Sequence, residues 1–410
     1  SKPGFLGSST SKAPKSPAGL TPLLTLVFAV ACGLCVANIY YAQPLIGPIA
    51  DTLQLRPGLA GLIMTLTQLG YGAGLLLLVP LADVVENRRL IVGALFGAVI
   101  GLVGIALSDS AVTFLAASFV VGACAVAAQV LLPFASHLAP EATRGKVVGN
   151  IMAGLLGGIM LARPFASMVA SALGWRAVFW LSAVLMAVLI VVLWRVLPQR
   201  RPHASVGYAR TMASLPGIVW NTPVLRRRGL YQGMMFSGFQ AFWTAVPLAL
   251  AHEFGMGQGG IAAFALAGAA GALMAPIAGR LADRGLTRPA TGIAIAVALF
   301  SFVLGAVAMH YHSLAGLVAA GILLDGAVQL CQVLNFRSLF MLAPELRGRL
   351  NGLFMTFIFI CAAVASGIAA AVYAFHGWGG LCLLGGGYVL VALLYYATEF
   401  KRGAVPAPAA

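Results

Sequence analysis

Apolar stretches long enough to cross a bilayer recur along the whole chain, and nothing constrains its fold more. Each runs for at least about 18 residues, the length a helix needs to span a hydrocarbon core of roughly 30 Å. Of the 410 residues, 61% are hydrophobic and only 9% charged, where a soluble domain carries roughly a quarter. In lipid every backbone N–H and C=O must be satisfied internally, which leaves helices or a closed barrel. The residue alternation of barrel strands is missing. The sequence therefore predicts an all-α polytopic membrane protein with twelve spans, at about 20–43, 58–81, 90–108, 112–137, 148–172, 177–197, 229–251, 259–280, 290–310, 314–338, 350–375 and 380–397.

The distribution of charge orients these spans. A net charge of +15 invites a nucleic-acid reading, but the positions of the 25 lysines and arginines reject it. With both termini inside, only Arg56 and Arg176 fall outside and Arg163 falls within a span. That asymmetry is the positive-inside rule. The expected organisation is a disordered N-terminal tail at 1–19, a six-helix half at 20–197, a cytoplasmic linker at 198–228, a second half at 229–397 and a C-terminal tail at 398–410. The run "LRRRG" at 225–229 reads as a membrane-edge anchor. All six cysteines lie within spans, so "CGLC" at 32–35 reads as small packing residues rather than a redox pair.

Two stretches about 200 residues apart echo each other. "LAPEATRGKVVG" at 138–149 matches "LAPELRGRLNG" at 342–352, and "PLADVVENRR" at 80–89 corresponds to "GRLADRGLTR" at 279–288. "GW" at 174–175 recurs at 377–378. At these residues the chain resembles the major facilitator superfamily, whose hallmark is a loop of the form G-x-L-a-D-r-x-G-r-k between spans two and three, repeated between spans eight and nine. The second copy fits at Gly279, Leu281, Ala282, Asp283, Arg284 and Arg288, with Leu286 at the second glycine. The first fits at Leu81, Ala82, Asp83, Arg88 and Arg89, while Val79, Val84 and Glu86 depart.

The resemblance implies the major facilitator fold, twelve transmembrane helices in two pseudo-symmetric six-helix halves, with a site near the midplane between them. It assigns Asp83, Arg88, Arg89, Asp283, Arg284 and Arg288 to a cytoplasmic gate. Glu141, Arg144, Glu345 and Arg347 in the repeated "APE" loops are expected in the same gate. "NIYYAQPL", "TLTQLGYGAGLLLLVPLAD" and "QAFWTAVPLAL" are similar to bacterial drug and arabinose-efflux-like permeases. Two exporter signatures are altered. Ser118 stands near where many proton-coupled exporters carry an arginine, and span five reads "GGIMLARPFASM" at 157–168.

Of ten acidic residues, Asp325 alone is deep. It lies roughly 18 Å from the outer end of span ten at about 1.5 Å per residue. A carboxylate there must be paired, hydrated by a cavity or protonated. It is expected to carry the coupled proton, the alternative being a structural hydrogen bond between helices. Arg163 is the cation of span five, and keeps its charge. It can pair with Asp325, bind an anionic part of a substrate, or serve as a purely structural ion pair. Asn38, Tyr40, Tyr41, Gln43, Gln129, Gln232, Gln240, Trp243, Gln329, Gln332 and Asn335 fall on spans that the resemblance places around the cavity. Positions 325, 329 and 332 share one helical face. Gln68 and Tyr71 are secondary candidates.

Together these residues and the resemblance imply a secondary active transporter in the bacterial inner membrane, multi-pass, with both termini cytoplasmic. The expected activity is proton-coupled efflux (antiport) of a small amphipathic organic solute by alternating access. The alternative is a proton-coupled uptake symporter or uniporter of a small metabolite or sugar. An enzyme is not expected: H-E-x-x-H is missing and His137, His252, His310, His312 and His376 sit at span ends. No cofactor, metal or nucleic acid is expected. The partners are the solute, protons and the lipid bilayer, and the working unit is a monomer.

Overall fold

The first crossing shows how proline shapes the bundle. In the structure, a computed structural model describing residues 20–140, 142–202, 207–342 and 346–400, helix α1 (Pro22–Ala37) starts where the Thr21 side chain accepts the Leu24 N–H at 3.2 Å. Turns follow, then a 3-10 turn at Gln43–Leu45 and helix α2 (Ile46–Leu53). This crossing thus runs to Leu53 rather than the expected 43. Pro44 and Pro48 mark a loop by composition. They sit in the first turns of their helices, where a missing N–H removes no intrahelical bond.

Helices α3 (Leu62–Leu77), α4 (Asn87–Leu107), α5 (Ala111–Cys124), α6 (Ala127–Leu138), α7 (Arg144–Leu173) and α8 (Trp175–Val196) complete the first half. Helix α9 (Tyr208–Asn221) belongs to the linker. The second half comprises α10 (Pro223–Glu253), α11 (Gln258–Gly268), α12 (Met274–Asp283), α13 (Thr287–His310), α14 (Leu314–Phe340) and α15 (Arg347–Ala397). The fourth crossing is α5 plus α6, and the eighth is α11 plus α12, joined by a 3-10 segment at Ala269–Leu273. Helix α15 contains the last two crossings. They meet at Gly377, whose φ of 70° and ψ of −166° suit glycine alone. Among the described residues ten helices are long and apolar enough to span a membrane, and α15 counts as one of them. Splitting it at Gly377 and adding the first crossing gives the twelve spans of the fold.

Alternating helix directions put the short connections at 54–56, 108–110, 254–257 and 311–313 on one face, with Gly174 and Gly377. The linker, α9 and the repeated loops lie on the other. The halves pack together toward the short-loop face. A Cβ on Gly61 would lie 2.1 Å from the Ser366 carbonyl oxygen, so α15 lies against backbone there. The Thr65 hydroxyl donates to the Ala363 carbonyl at 2.7 Å, and α11 packs on α7. Toward the linker face, α12 packs on α13 and α14 of its own half. There α9 bridges the halves: the Tyr208 hydroxyl donates to the Leu77 carbonyl at 2.8 Å, and Arg349 Nη1 reaches Ser214 Oγ at 3.4 Å.

Candidate functional site

Arg163 lies inside α7, beside Pro164, which deprives the helix of one N–H donor. The side chain is 6% exposed. Its Nε donates to Gln43 Oε1 at 2.8 Å, and Gln43 Nε2 donates to Gln240 Oε1 at 2.8 Å and more weakly to Thr244 Oγ1 at 3.4 Å. This chain of amides crosses from one half to the other. Aromatic faces enclose the guanidinium, whose Cζ lies 5.0 Å from the Tyr40 ring centroid, 5.3 Å from Phe239 and 5.1 Å from Trp243. Such contacts offset part of the loss of water around a cation.

Asp325 approaches from α14. The indole Nε1 of Trp243 donates to Asp325 Oδ1 at 2.6 Å, so the same ring carries Arg163 on its face and the acid at its edge. The two charges form no direct ion pair within 4.0 Å. Gly271, in the break of the eighth crossing, lies against this part of α14: a Cβ there would stand 2.7 Å from Asp325 Cβ and 2.6 Å from the Gly326 nitrogen. The missing side chain lets the break sit on the acid's backbone.

Three buried donor groups around Arg163 lack partners: its own Nη2, Gln240 Nε2 and the hydroxyl of Ser167 one turn along α7. Buried donors are ordinarily satisfied. A site with spare donors and apolar walls suits the acceptor end of an amphipathic molecule. The walls continue as an aromatic band, Tyr71 to Phe359 at 4.4 Å, Phe359 to Phe236 at 5.6 Å, Phe236 stacked on Phe239 at 5.5 Å, and Phe239 to Trp243 at 6.4 Å.

Of the sequence candidates, Tyr40, Gln43, Arg163, Gln240, Trp243 and Asp325 meet here. Gln129 joins the band's far end, donating to the Tyr71 hydroxyl at 3.1 Å, and Gln68 accepts from Ser366 at 2.8 Å. Gln329 and Gln332 are half-buried on the Asp325 face of α14. Asn38 and Tyr41 point into the first half, where Asn38 accepts from the Ser182 hydroxyl at 2.6 Å and Tyr41 packs on Phe165. Gln232 and Asn335 belong to another cluster, where Asn335 Nδ2 donates to Gln232 Oε1 at 3.1 Å. Phe236, Phe239, Thr244 and Phe359 escaped the sequence reading. On α10 Phe236 and Thr244 each lie four residues from Gln240, and Phe239 lies four from Trp243, a signal hidden for the aromatic pair among 22 phenylalanines.

Three of the described residues expected in the gate are engaged within their own halves. Asp283 pairs with Arg337, Arg288 with Glu399 at 3.0 Å, and Arg88 stacks 4.3 Å from the Trp194 ring. Asp83, Arg89 and Arg284 are exposed. Glu141 and Glu345 lie outside the described residues, and Arg144 and Arg347 begin α7 and α15. Glu86, a departure from the repeated loop pattern, caps α4. Its carboxylate accepts the N–H groups of Arg88, Arg89 and Arg200 at 3.1, 2.8 and 3.0 Å, tying the linker to this loop. Desolvation pushes its pKa up, but these three donors outweigh it and hold the carboxyl below its ordinary value.

A transporter is the class this fold and site define. The family model described as Major Facilitator Superfamily matches residues 27–331 and 229–409. The chain is 40% identical over 384 residues to the Escherichia coli O157:H7 protein described as an uncharacterized transporter, YgaY, covering 93% of this chain and 97% of that one. It is 28% identical over 176 residues to a Pseudomonas aeruginosa chloramphenicol resistance protein, covering 42% and 40%. Its fold is similar to a crystal structure of a POT family transporter in complex with 5-aminolevulinic acid, with a TM-score of 0.74 at 13% identity over 93% and 96% of the two chains. The chain belongs to the major facilitator superfamily.

Proposed function

We propose that this transporter exports a small amphipathic organic solute in exchange for protons across the bacterial inner membrane, with the linker face cytoplasmic. The observation that carries this reading is Trp243, held between Arg163 of one half and Asp325 of the other. Rocking the halves about such a junction changes the access of the acid to water. Hydration favours its carboxylate and burial its protonated form, so one proton can be taken up at one face and released at the other. The solute lies along the aromatic band, with its acceptor end on the free donors of Arg163, Gln240 and Ser167. Packing of the halves toward the short-loop face corresponds to the arm of the cycle in which the site opens to the cytoplasm. Similarity to a chloramphenicol resistance protein supports export.

The test is flux into or out of proteoliposomes with an imposed pH gradient. Wild-type protein is expected to concentrate substrate against its gradient. Asp325→Asn, which imitates the protonated form, is expected to exchange substrate downhill yet lose uphill coupling. Uphill transport by that variant with an unchanged pH dependence defeats the proposal. Lowering pH is expected to weaken substrate binding if proton and solute compete, as antiport requires; stronger binding in acid points to uptake instead.

A further inference from the structure

Arg228 is a second buried cation, outside the site just described. The sequence places it in a membrane-edge anchor. In the structure it is the sixth residue of α10, about 8 Å along the helix at 1.5 Å per residue, and only 9% exposed. Its Nη1 donates to Thr291 Oγ1 at 2.9 Å and to Asn335 Oδ1 at 3.3 Å. Both acceptors are neutral. Among the described residues no carboxylate pairs with it within 4.0 Å; Glu399 is taken by Arg288 at 3.0 Å, Tyr231 at 2.8 Å and, more distantly, Arg227 at 3.9 Å. The ring of Tyr231, 5.7 Å from Arg228 Cζ, gives only partial compensation.

Two observations point to an anion site. Gln232, one turn along α10 on the same face, is fully buried, and its Nε2 donor has no partner. Its Oε1 is held by Asn335, whose Oδ1 is held by Arg228, so this orientation leaves the amide nitrogen as the free end. Among the described residues Arg228 Nε and Nη2 likewise have no partner, and they are not sealed from solvent. Three unclaimed donors and one positive charge thus lie within one turn of α10, beside Thr291 of α13 and Asn335 of α14 in the same half. A buried arginine cannot relieve itself by losing its proton.

We propose that Arg228 and Gln232 bind one small inorganic monovalent anion of chloride size within the second half. The donors and their neutral partners come from three helices of one half, a compact set that favours a small ion over a lipid phosphate or an organic solute. Asn335 lies ten residues beyond Asp325 on α14, roughly 15 Å at 1.5 Å per residue, so the anion is separate from the transport site. It neutralises the packing of α10, which contributes Gln240 and Trp243 to that site.

The test is equilibrium binding of radioactive chloride to the purified full-length protein, with gluconate holding ionic strength constant, together with thermal unfolding in the two salts. Saturable binding of one chloride per chain is expected, with a melting temperature about 2–5 °C higher at saturating chloride. Arg228→Gln is expected to abolish both, and Gln232→Leu to weaken binding about threefold to tenfold. The wild-type measurement stands even if Arg228→Gln does not fold. No saturable chloride binding by wild-type protein, or binding that survives Arg228→Gln unchanged, overturns the proposal and leaves water as the occupant.

Discussion

Arg163 and Asp325 face each other through Trp243 rather than in a salt bridge. The guanidinium carbon lies 5.1 Å from the indole centroid, and the indole nitrogen is 2.6 Å from the carboxylate. A direct pair would satisfy both charges and hold the halves together. The interposed ring leaves each charge available to another partner while keeping both in one low-dielectric pocket. Trp243→Phe keeps a ring under Arg163 and removes the donor to Asp325. Hydrogen bonds to charged groups contribute about 1.5–3 kcal/mol, so proton-driven flux is expected to fall at least about tenfold. Unchanged uphill flux in proteoliposomes removes Trp243 from the coupling machinery.

The amide chain makes a second, separable prediction. Gln43→Leu and Gln240→Leu each break the same 2.8 Å bond across the interface. Gln240→Leu is expected to weaken substrate binding about tenfold or less, within the net worth of a neutral hydrogen bond, and Gln43→Leu, which also removes the acceptor of Arg163 Nε, to weaken it more. The double substitution is expected to be little worse than Gln43→Leu alone, since contacting residues do not add. Full additivity in a double-mutant cycle shows that the two glutamines act independently.

Glycine substitutions distinguish contacts within a half from contacts between halves. A Cβ on Gly122 would sit 1.9 Å from the Thr67 carbonyl oxygen, inside the first half, where α3 and α5 stay together throughout any rocking motion. Gly122→Ala is expected to lower the melting temperature in every state. A Cβ on Gly61 would strike Ser366 of the opposite half. Gly61→Ala is expected to fold normally and to populate the conformation open at the short-loop face, read by spin-label distances across that face. Equal loss of stability in both variants contradicts the idea that α3 and α15 separate there.

Glu86 supplies a pH dependence outside the membrane. Its pKa lies below the ordinary glutamate value of 4.5, so its hold on Arg200 is complete above that value and is lost as pH falls through the lower folded value. Proteolysis near residues 200–207 is expected to rise on acidification in wild-type protein. Glu86→Gln is expected to show the faster cleavage already at neutral pH. Cleavage that is slow and pH-independent in both proteins dissociates Glu86 from the linker.

Legibility varied with the physics of each residue. Charge inside an apolar run is expensive and rare, so Arg163 and Asp325 stand out in the sequence without any structure. Aromatic side chains carry no such marker in a membrane chain. Phe239 and Phe359 therefore became distinguishable only once their rings lay beside Arg163 and Tyr71. The first crossing outruns its expected end at 43, since a proline in the first turn of a helix removes no intrahelical bond and α2 begins just before Pro48. Arg228 resembles any cation at a membrane edge. Its burial depends on Thr291 and Asn335 arriving from two other helices. The repeated loops mark the two six-helix halves because their spacing survives along the chain, whereas the bend that merges the last two crossings rests on the backbone of Gly377 alone.

Helix α9 fixes a length. Tyr208 binds the end of α3 and Ser214 receives Arg349 from α15, six residues apart on one rigid rod. Six residues of helix measure about 9 Å. The two hydrogen-bonded seats tie both halves to one spacer at the linker face, and in the proposed cycle that spacer is a gauge block for the opening there. Widening it further or shutting it requires one seat to let go. The stroke of the proposed cycle is thus graduated in a single step, and lengthening α9 by one turn is expected to change the size of molecule admitted while leaving every residue of the central site in place.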